Sequence, residues 1–138
     1  MNNLKQLHWP LIGGMGALAL LRPFLSITGF IDMVGKPLGP MLVTLIISLA
    51  WLSIALTAKI RQPLLHLIFT GLVYGFFAIA ISTILSPLLT GELSGPLAVP
   101  FGLGIAAVLI TNTLWGGAIG FIAWVILSAQ QANSQEKQ

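Results

Sequence analysis

The sequence predicts an all-α integral membrane protein, a bundle of four transmembrane helices. Hydrophobic residues make up 57% and charged residues 7% of the 138-residue chain, a composition far from that of soluble globular domains. Charged residues also leave three long gaps: Lys36 to Lys59, Arg61 to Glu92, and Glu92 to Glu136. A helix needs about 20 apolar residues to cross a bilayer core, so each gap is long enough for one transmembrane helix.

Helix one is predicted at residues 9–31. This stretch is also long enough to cross, but it carries Arg22 in its middle. A signal peptide is the alternative for the chain's start, yet no small-x-small cleavage site follows the apolar run. We therefore expect a retained transmembrane helix.

The remaining helices follow from the apolar gaps and from the Gly, Pro and polar residues that separate them. Together the four helices are expected to form one transmembrane domain at residues 1–129, followed by a polar cytoplasmic tail at 130–138. Helices two, three and four are predicted at 38–58, 63–89 and 100–128.

The positive charges indicate an orientation. The side of the four-span topology that holds both termini carries Lys5, Lys59, Arg61 and Lys137. The opposite side carries Lys36, together with Asp32 and Glu92. Because Lys and Arg accumulate in cytoplasmic loops, both termini are expected to be cytoplasmic in a multi-pass protein of the cell membrane.

A weak internal repeat links the first and third connections. Residues 28–40 and 90–100 share, in the same order, Thr-Gly, an acidic residue, Gly, Pro-Leu and a further Pro. Two interpretations stay open. The chain could consist of two tandem helical hairpins related by an axis along the membrane normal. Alternatively, two Gly- and Pro-containing turns resemble each other by composition alone.

Small residues at helical spacing line one face of helix three and one face of helix four. Helices in lipid associate through close backbone approach, so these faces are expected to be packing faces. Packing within one chain, a homo-oligomer interface and a permeation path all fit such faces. The predicted helix-packing residues are Gly71, Gly75, Ala78, Ser82, Gly116 and Gly120.

Arg22 is the main candidate for function. It lies about 16 Å beyond Leu11 along an ideal helix, near the middle of a bilayer core, where a charge is costly. Pro23 cannot donate to the carbonyl of Ala19, which the guanidinium could satisfy. Arg22 is therefore an anion-binding cation, a packing residue, or an interfacial residue of a shortened helix. The candidate midplane polar site consists of Arg22, Ser48, Asn112 and Thr113.

Catalytic, metal and cofactor sites are not predicted. The chain has no cysteine, and its carboxylates lie in the predicted loops and tail. His8 and His66 could face each other as haem or metal ligands, but interfacial histidines are the stronger interpretation. No serine is placed with a histidine and an acid for nucleophilic catalysis. The basic residues form no cluster that would bind nucleic acid.

Residues 13–17, which are Gly-Gly-Met-Gly-Ala, followed by Arg22, look like the opening of the fluoride-channel family, which also has four helices. The likeness covers residues 13–22 only, with a different Gly-to-Arg spacing. Helix three also lacks that family's Thr- and Phe-rich signature. The small multidrug resistance transporters are similar in size, but they depend on a membrane-embedded acid that this chain lacks. The chain is assigned to neither family.

The leading functional expectation is a non-enzymatic membrane protein that works through helix–helix association. Its partners would be the lipid bilayer and either further copies of itself or a larger membrane assembly. The alternative is a small oligomeric channel or transporter for an anionic or neutral solute, with Arg22 and Asn112 at the midplane. The two differ in one structural feature: a channel would have a cavity that reaches Arg22, whereas a packing arginine would be bonded to its neighbours.

Overall fold

The computed structural model describes Lys5 and residues 7–138. The protein is 84% helical and has no strand in the described part, which confirms the all-α prediction. The predicted number of long apolar helices is also confirmed. Four segments are long and apolar enough to cross a membrane: Trp9–Ile27, Leu38–Thr57, Pro63–Thr90 and Pro100–Glu136.

Helix one is divided, in contrast to the continuous helix predicted at 9–31. Helix α1 (Trp9–Ala19) ends before Leu20, and helix α2 (Leu21–Ile27) follows it directly. Pro23 is the physical reason, because it has no N–H to bond the carbonyl of Ala19. The N–H of Leu20 donates to the carbonyl of Ala17 at 3.0 Å, which tightens the chain into a 3₁₀-type turn at the break.

The other helices lie close to their predicted positions. A short helix, α3 (Phe30–Val34), precedes α4 (Leu38–Thr57), and α5 (Pro63–Thr90) follows. Two 3₁₀ turns, Pro96–Ala98 and Pro100–Gly102, lead into α6 (Leu103–Glu136). Helix α6 extends well past its predicted end at 128 and takes in most of the predicted tail at 130–138. The Ala, Gln and Glu residues of this segment favour helix and explain the extension.

The central pair of the bundle is α5 and α6, which pack along most of their length. Helix α1 packs against α5, and α4 packs against α6, whereas α1 and α4 contact each other only slightly. The buried core runs between these helices and includes Met15, Trp51, Leu67 and Ala123. Helix α2 reaches α4 and α5, so the break in helix one directs Arg22 toward the centre of the bundle.

The glycines of α5 and α6 allow their backbones to touch. A Cβ atom on Gly116 would overlap the carbonyl of Leu67 and lie 3.3 Å from the Cα of Gly71. A Cβ atom on Gly120 would lie 2.8 Å from the Cα of Leu64. Gly75 is less restricted, since its nearest neighbour is the side chain of Leu109 at 3.0 Å. These glycine contacts lie within one chain.

The two turns of the internal repeat share positive φ angles at two pairs of glycines. Gly29 and Gly91 have φ of 78° and 76°, and Gly35 and Gly95 have φ of 99° and 89°. Glycine adopts this left-handed region without steric cost, which explains its place in both turns. The helices that flank the turns pack differently, because α5 contacts α6 closely while α1 and α4 barely meet. The tandem-hairpin arrangement therefore stays a prediction.

Candidate functional site

Three voids meet at Arg22. We call them the central cavity, of about 180 Å³, the loop-side cavity, of about 260 Å³, and the lateral groove, of about 670 Å³. The Arg22 side chain lines all three. It comes from α2, immediately before the proline that divides helix one.

The central cavity lies between α2, α4, α5 and α6. Tyr74, near the middle of the 28-residue helix α5, forms one wall. Polar and aromatic side chains dominate the lining, although Ile47 also contributes. The complete lining is Arg22, Thr44, Ile47, Trp51, Tyr74, Thr111, Asn112 and Trp115.

The loop-side cavity continues from Arg22 toward the turns that precede α4 and α6. It shares Arg22, Tyr74 and Asn112 with the central cavity. The hydroxyl-bearing residues Ser26 and Ser82 also line it. A row of polar side chains therefore follows the void from the connecting turns to the middle of the bundle.

The lateral groove opens between α4 and α6 on the outer surface of the bundle. Its walls are mainly apolar and include Met41 and Leu45 of α4, which are 63% and 54% exposed, and Ile119 of α6. Thr44, Ser48 and the exposed Trp115 also line it, and Arg22 is its charged residue.

Arg22 has no acidic partner in the part of the chain that the structure describes. The ion pair found there is on the surface, between Lys36 Nζ and Asp32 Oδ1 at 3.2 Å. The buried Tyr74 of α5 interacts electrostatically with the guanidinium and shares a side-chain hydrogen bond with it. Within the described chain, no hydrogen bond joins Arg22 to the carbonyl of Ala19. A guanidinium has five N–H donors, more than the hydrogen bond to Tyr74 uses.

The other polar groups around Arg22 are largely bonded to their own surroundings. Asn112 donates from Nδ2 to the carbonyl of Val108 at 2.7 Å. Trp51 donates from Nε1 to the carbonyl of Met15 at 2.9 Å, which ties α4 to α1. Trp115 donates from Nε1 to Ser48 Oγ at 3.0 Å, which ties α6 to α4. These bonds fix the walls of the cavities around a cation that has no carboxylate partner in the described chain.

The predicted midplane site is brought together only in part. Arg22 and Asn112 line the same two cavities. Ser48 lines the lateral groove, where it accepts the bond from Trp115. Thr113 lines none of the three voids, and Thr111 takes the place on the central cavity that the sequence analysis gave to Thr113.

Tyr74 and Trp115 are two of several lining residues that lie outside the predicted site. Tyr74 precedes Ala78 by four residues and Ser82 by eight. Ala78 and Ser82 are predicted packing residues, and both line the loop-side cavity. That i, i+4, i+8 spacing was the available signal. For Trp115 the signal was an indole N–H in the middle of an apolar helix, which needs an acceptor inside the protein.

His66 is buried, and neither ring nitrogen has a hydrogen-bond partner in the described chain. No group of three or more His, Asp or Glu residues there is arranged to hold a metal ion. Comparison of the chain with protein-family models, with curated protein sequences and with solved structures finds no match.

Proposed function

We propose that this protein crosses the cell membrane four times, with both termini in the cytoplasm, and binds and passes a small anion at Arg22. The proposal rests on one observation: Arg22 lines three voids and has no carboxylate partner in the described chain. An arginine with a packing role is expected to have all of its donors bonded to neighbouring groups, whereas the hydrogen bond to Tyr74 uses only part of the guanidinium's five N–H donors.

The energetics favour an anion at this position. A charge near the middle of a bilayer costs at least about 2.5–3.5 kcal/mol unless it is paired or hydrated. In a four-span arrangement Arg22 lies at that depth, since it shares its cavities with Tyr74 from the middle of α5. Water in the cavity lowers the free-energy cost of the Arg22 charge when no anion is bound. A bound anion takes the place of the missing carboxylate.

The lining suits anion recognition. A guanidinium presents several N–H donors in a planar fork and binds oxyanions through two parallel hydrogen bonds. The hydroxyls of Tyr74 and Thr111 lie on the same cavity and can donate to a bound anion. The acidic residues Asp32, Glu92 and Glu136 lie at helix ends and turns. Without an acid in the middle of the bundle, proton-coupled transport is disfavoured, and we propose passive movement down a gradient.

Helix–helix association with further copies or with a larger assembly is the second candidate function. The small-residue faces that suggested it are in contact within one chain, where Gly71 and Gly116 bring α5 and α6 together. Because these glycines already pack α5 against α6 within one chain, they no longer support an interface between chains. The anion site is therefore the function that the geometry supports better.

Anion flux in reconstituted vesicles tests the proposal. The purified protein is placed in vesicles of zwitterionic lipid, and flux of chloride, nitrate, formate and acetate is measured. Arg22→Gln should abolish flux while the protein remains folded and monodisperse. Arg61→Gln is the matched control, because it removes the same charge from an exposed residue that lines none of the three voids. Wild-type vesicles that pass none of these anions, or Arg22→Gln vesicles with unchanged flux, would contradict the proposal.

A further inference from the structure

The lateral groove connects Arg22 to the outer surface of the bundle. Its volume of about 670 Å³ is the largest of the three voids that reach Arg22. Volumes of about 300–1,000 Å³ are typical of small-molecule sites. The groove combines a long apolar wall with one charged residue, and this combination indicates the class of molecule that it can hold.

The polar side chains of the groove, apart from Arg22, already form hydrogen bonds with each other or with backbone carbonyls. Trp115 donates to Ser48 Oγ, and the Ser48 hydroxyl donates to the carbonyl of Thr44 at 2.7 Å. The Thr44 hydroxyl in turn donates to the carbonyl of Pro40 at 2.9 Å. Arg22 therefore supplies the donors that are left for a ligand in this groove.

We propose that the anion recognised at Arg22 is amphipathic: a carboxylate on a single alkyl chain, with its head at Arg22 and its chain along the groove. This inference rests on the anion site proposed above. The carboxylate complements the guanidinium, and the alkyl chain complements the walls formed by Met41, Leu45 and Ile119. A small hydrophilic anion would leave this apolar surface uncovered.

The position of the groove also explains how such a molecule would reach the site. Met41 and Leu45 are largely exposed on the face of α4 that would meet lipid. Lipid chains are as apolar as these side chains, so an alkyl chain gains little by moving from the bilayer into the groove. The chain can therefore stay in hydrocarbon while the carboxylate moves to the cation, and Arg22 supplies most of the selectivity.

Quenching of tryptophan fluorescence tests the inference. Trp115 lines the groove, so a long-chain fatty acid that carries bromine atoms along its chain should quench it on contact. The titration uses the full-length protein in nanodiscs of zwitterionic lipid, with the methyl ester of the same acid as the uncharged control. We expect saturable quenching by the acid, no saturable component with the ester, and loss of that component in Trp115→Phe.

Two further variants separate the head from the chain. Arg22→Gln should weaken binding of the brominated acid by about tenfold or more, as expected when a hydrogen bond to a charged group is lost. Leu45→Phe narrows the groove and should weaken binding of the brominated acid several-fold. Ile46→Phe is the matched control, because Ile46 is 60% exposed on the same helix but does not line the groove.

The outcomes distinguish this inference from the anion site itself. Acetate flux that depends on Arg22, together with no saturable binding of the brominated acid, would overturn the inference and leave the anion site in place. Quenching that is equal in the wild type and in Arg22→Gln would mean simple partition into lipid, and it too would overturn the inference. Arg22-dependent binding of a two-chain anionic phospholipid that is stronger than binding of the brominated acid would also overturn the inference.

Discussion

The indole N–H of Trp115 donates a hydrogen bond to the hydroxyl oxygen of Ser48 at 3.0 Å. This bond joins α6 to α4 along the lateral groove. Both residues line the groove, and Trp115 also lines the central cavity. The Trp115–Ser48 pair thus forms part of the partition between the two voids, and Arg22 reaches both.

A double-mutant cycle should detect this bond as a coupling between the two residues. Trp115→Phe removes the donor and keeps an aromatic ring, and Ser48→Ala removes the acceptor. Interhelical hydrogen bonds in membrane proteins contribute about 0.6 kcal/mol on average. We expect a coupling energy of that order in the free energy of unfolding, measured in detergent. Strictly additive effects would mean that the bond does not hold α4 to α6.

Gly116 should tolerate no side chain. A Cβ atom there would overlap the backbone of α5, so Gly116→Ala should cost about 1–3 kcal/mol or prevent assembly of the helix pair. Gly14→Ala is the matched control, because a Cβ atom on Gly14 meets nothing within 4 Å. In the control, the better helix propensity of Ala should stabilise α1 by about 0.5–1 kcal/mol. Thermal unfolding in detergent measures the stability of both variants. Equal stability of Gly116→Ala and Gly14→Ala would contradict the close packing of α5 against α6.

The charge pattern predicts where each connection lies. Reporter fusions after Gln62 and at Gln138 should be active in the cytoplasm, and a fusion after Gly35 should be active outside. The reason is the excess of Lys and Arg on the side that holds the termini. An external C-terminus would show that the proposed four-span topology is incorrect.

The sequence predicted the class of the fold and the helix positions well, because length and lack of charge are enough to identify long apolar helices. It could not predict which helices would be neighbours. The long helices are apolar around their whole circumference, and a core in lipid is no more apolar than the surface. Hydrophobic periodicity therefore carries little information about which face points inward.

The candidate site shows the same limit at single residues. Arg22 and Asn112 were grouped because both lie near the middle of their helices, and depth can be counted from the sequence. The inward direction cannot be counted in this way, so Thr113 was selected where Thr111 lines the cavity. Pro23 could be recognised from the sequence as a weak point of the helix. The direction in which the break turns the Arg22 side chain could not.

Arg22 is proposed to lie in a hydrated cavity and to attract anions, and a cysteine placed in that cavity tests both properties. The natural chain has no cysteine, so Asn112→Cys introduces a single thiol on the two cavities that Arg22 lines. Its rates of modification by an anionic and a cationic membrane-impermeant methanethiosulfonate, each normalised to a free thiol, measure both water access and local charge. Ile110→Cys is the lipid-facing control, because Ile110 is 59% exposed on the same helix.

We predict that Asn112→Cys reacts with both reagents, favours the anionic one, and loses that preference when Arg22→Gln is added. The control should react with neither reagent. An unreactive thiol at position 112, or a preference that Arg22→Gln does not change, would contradict the account.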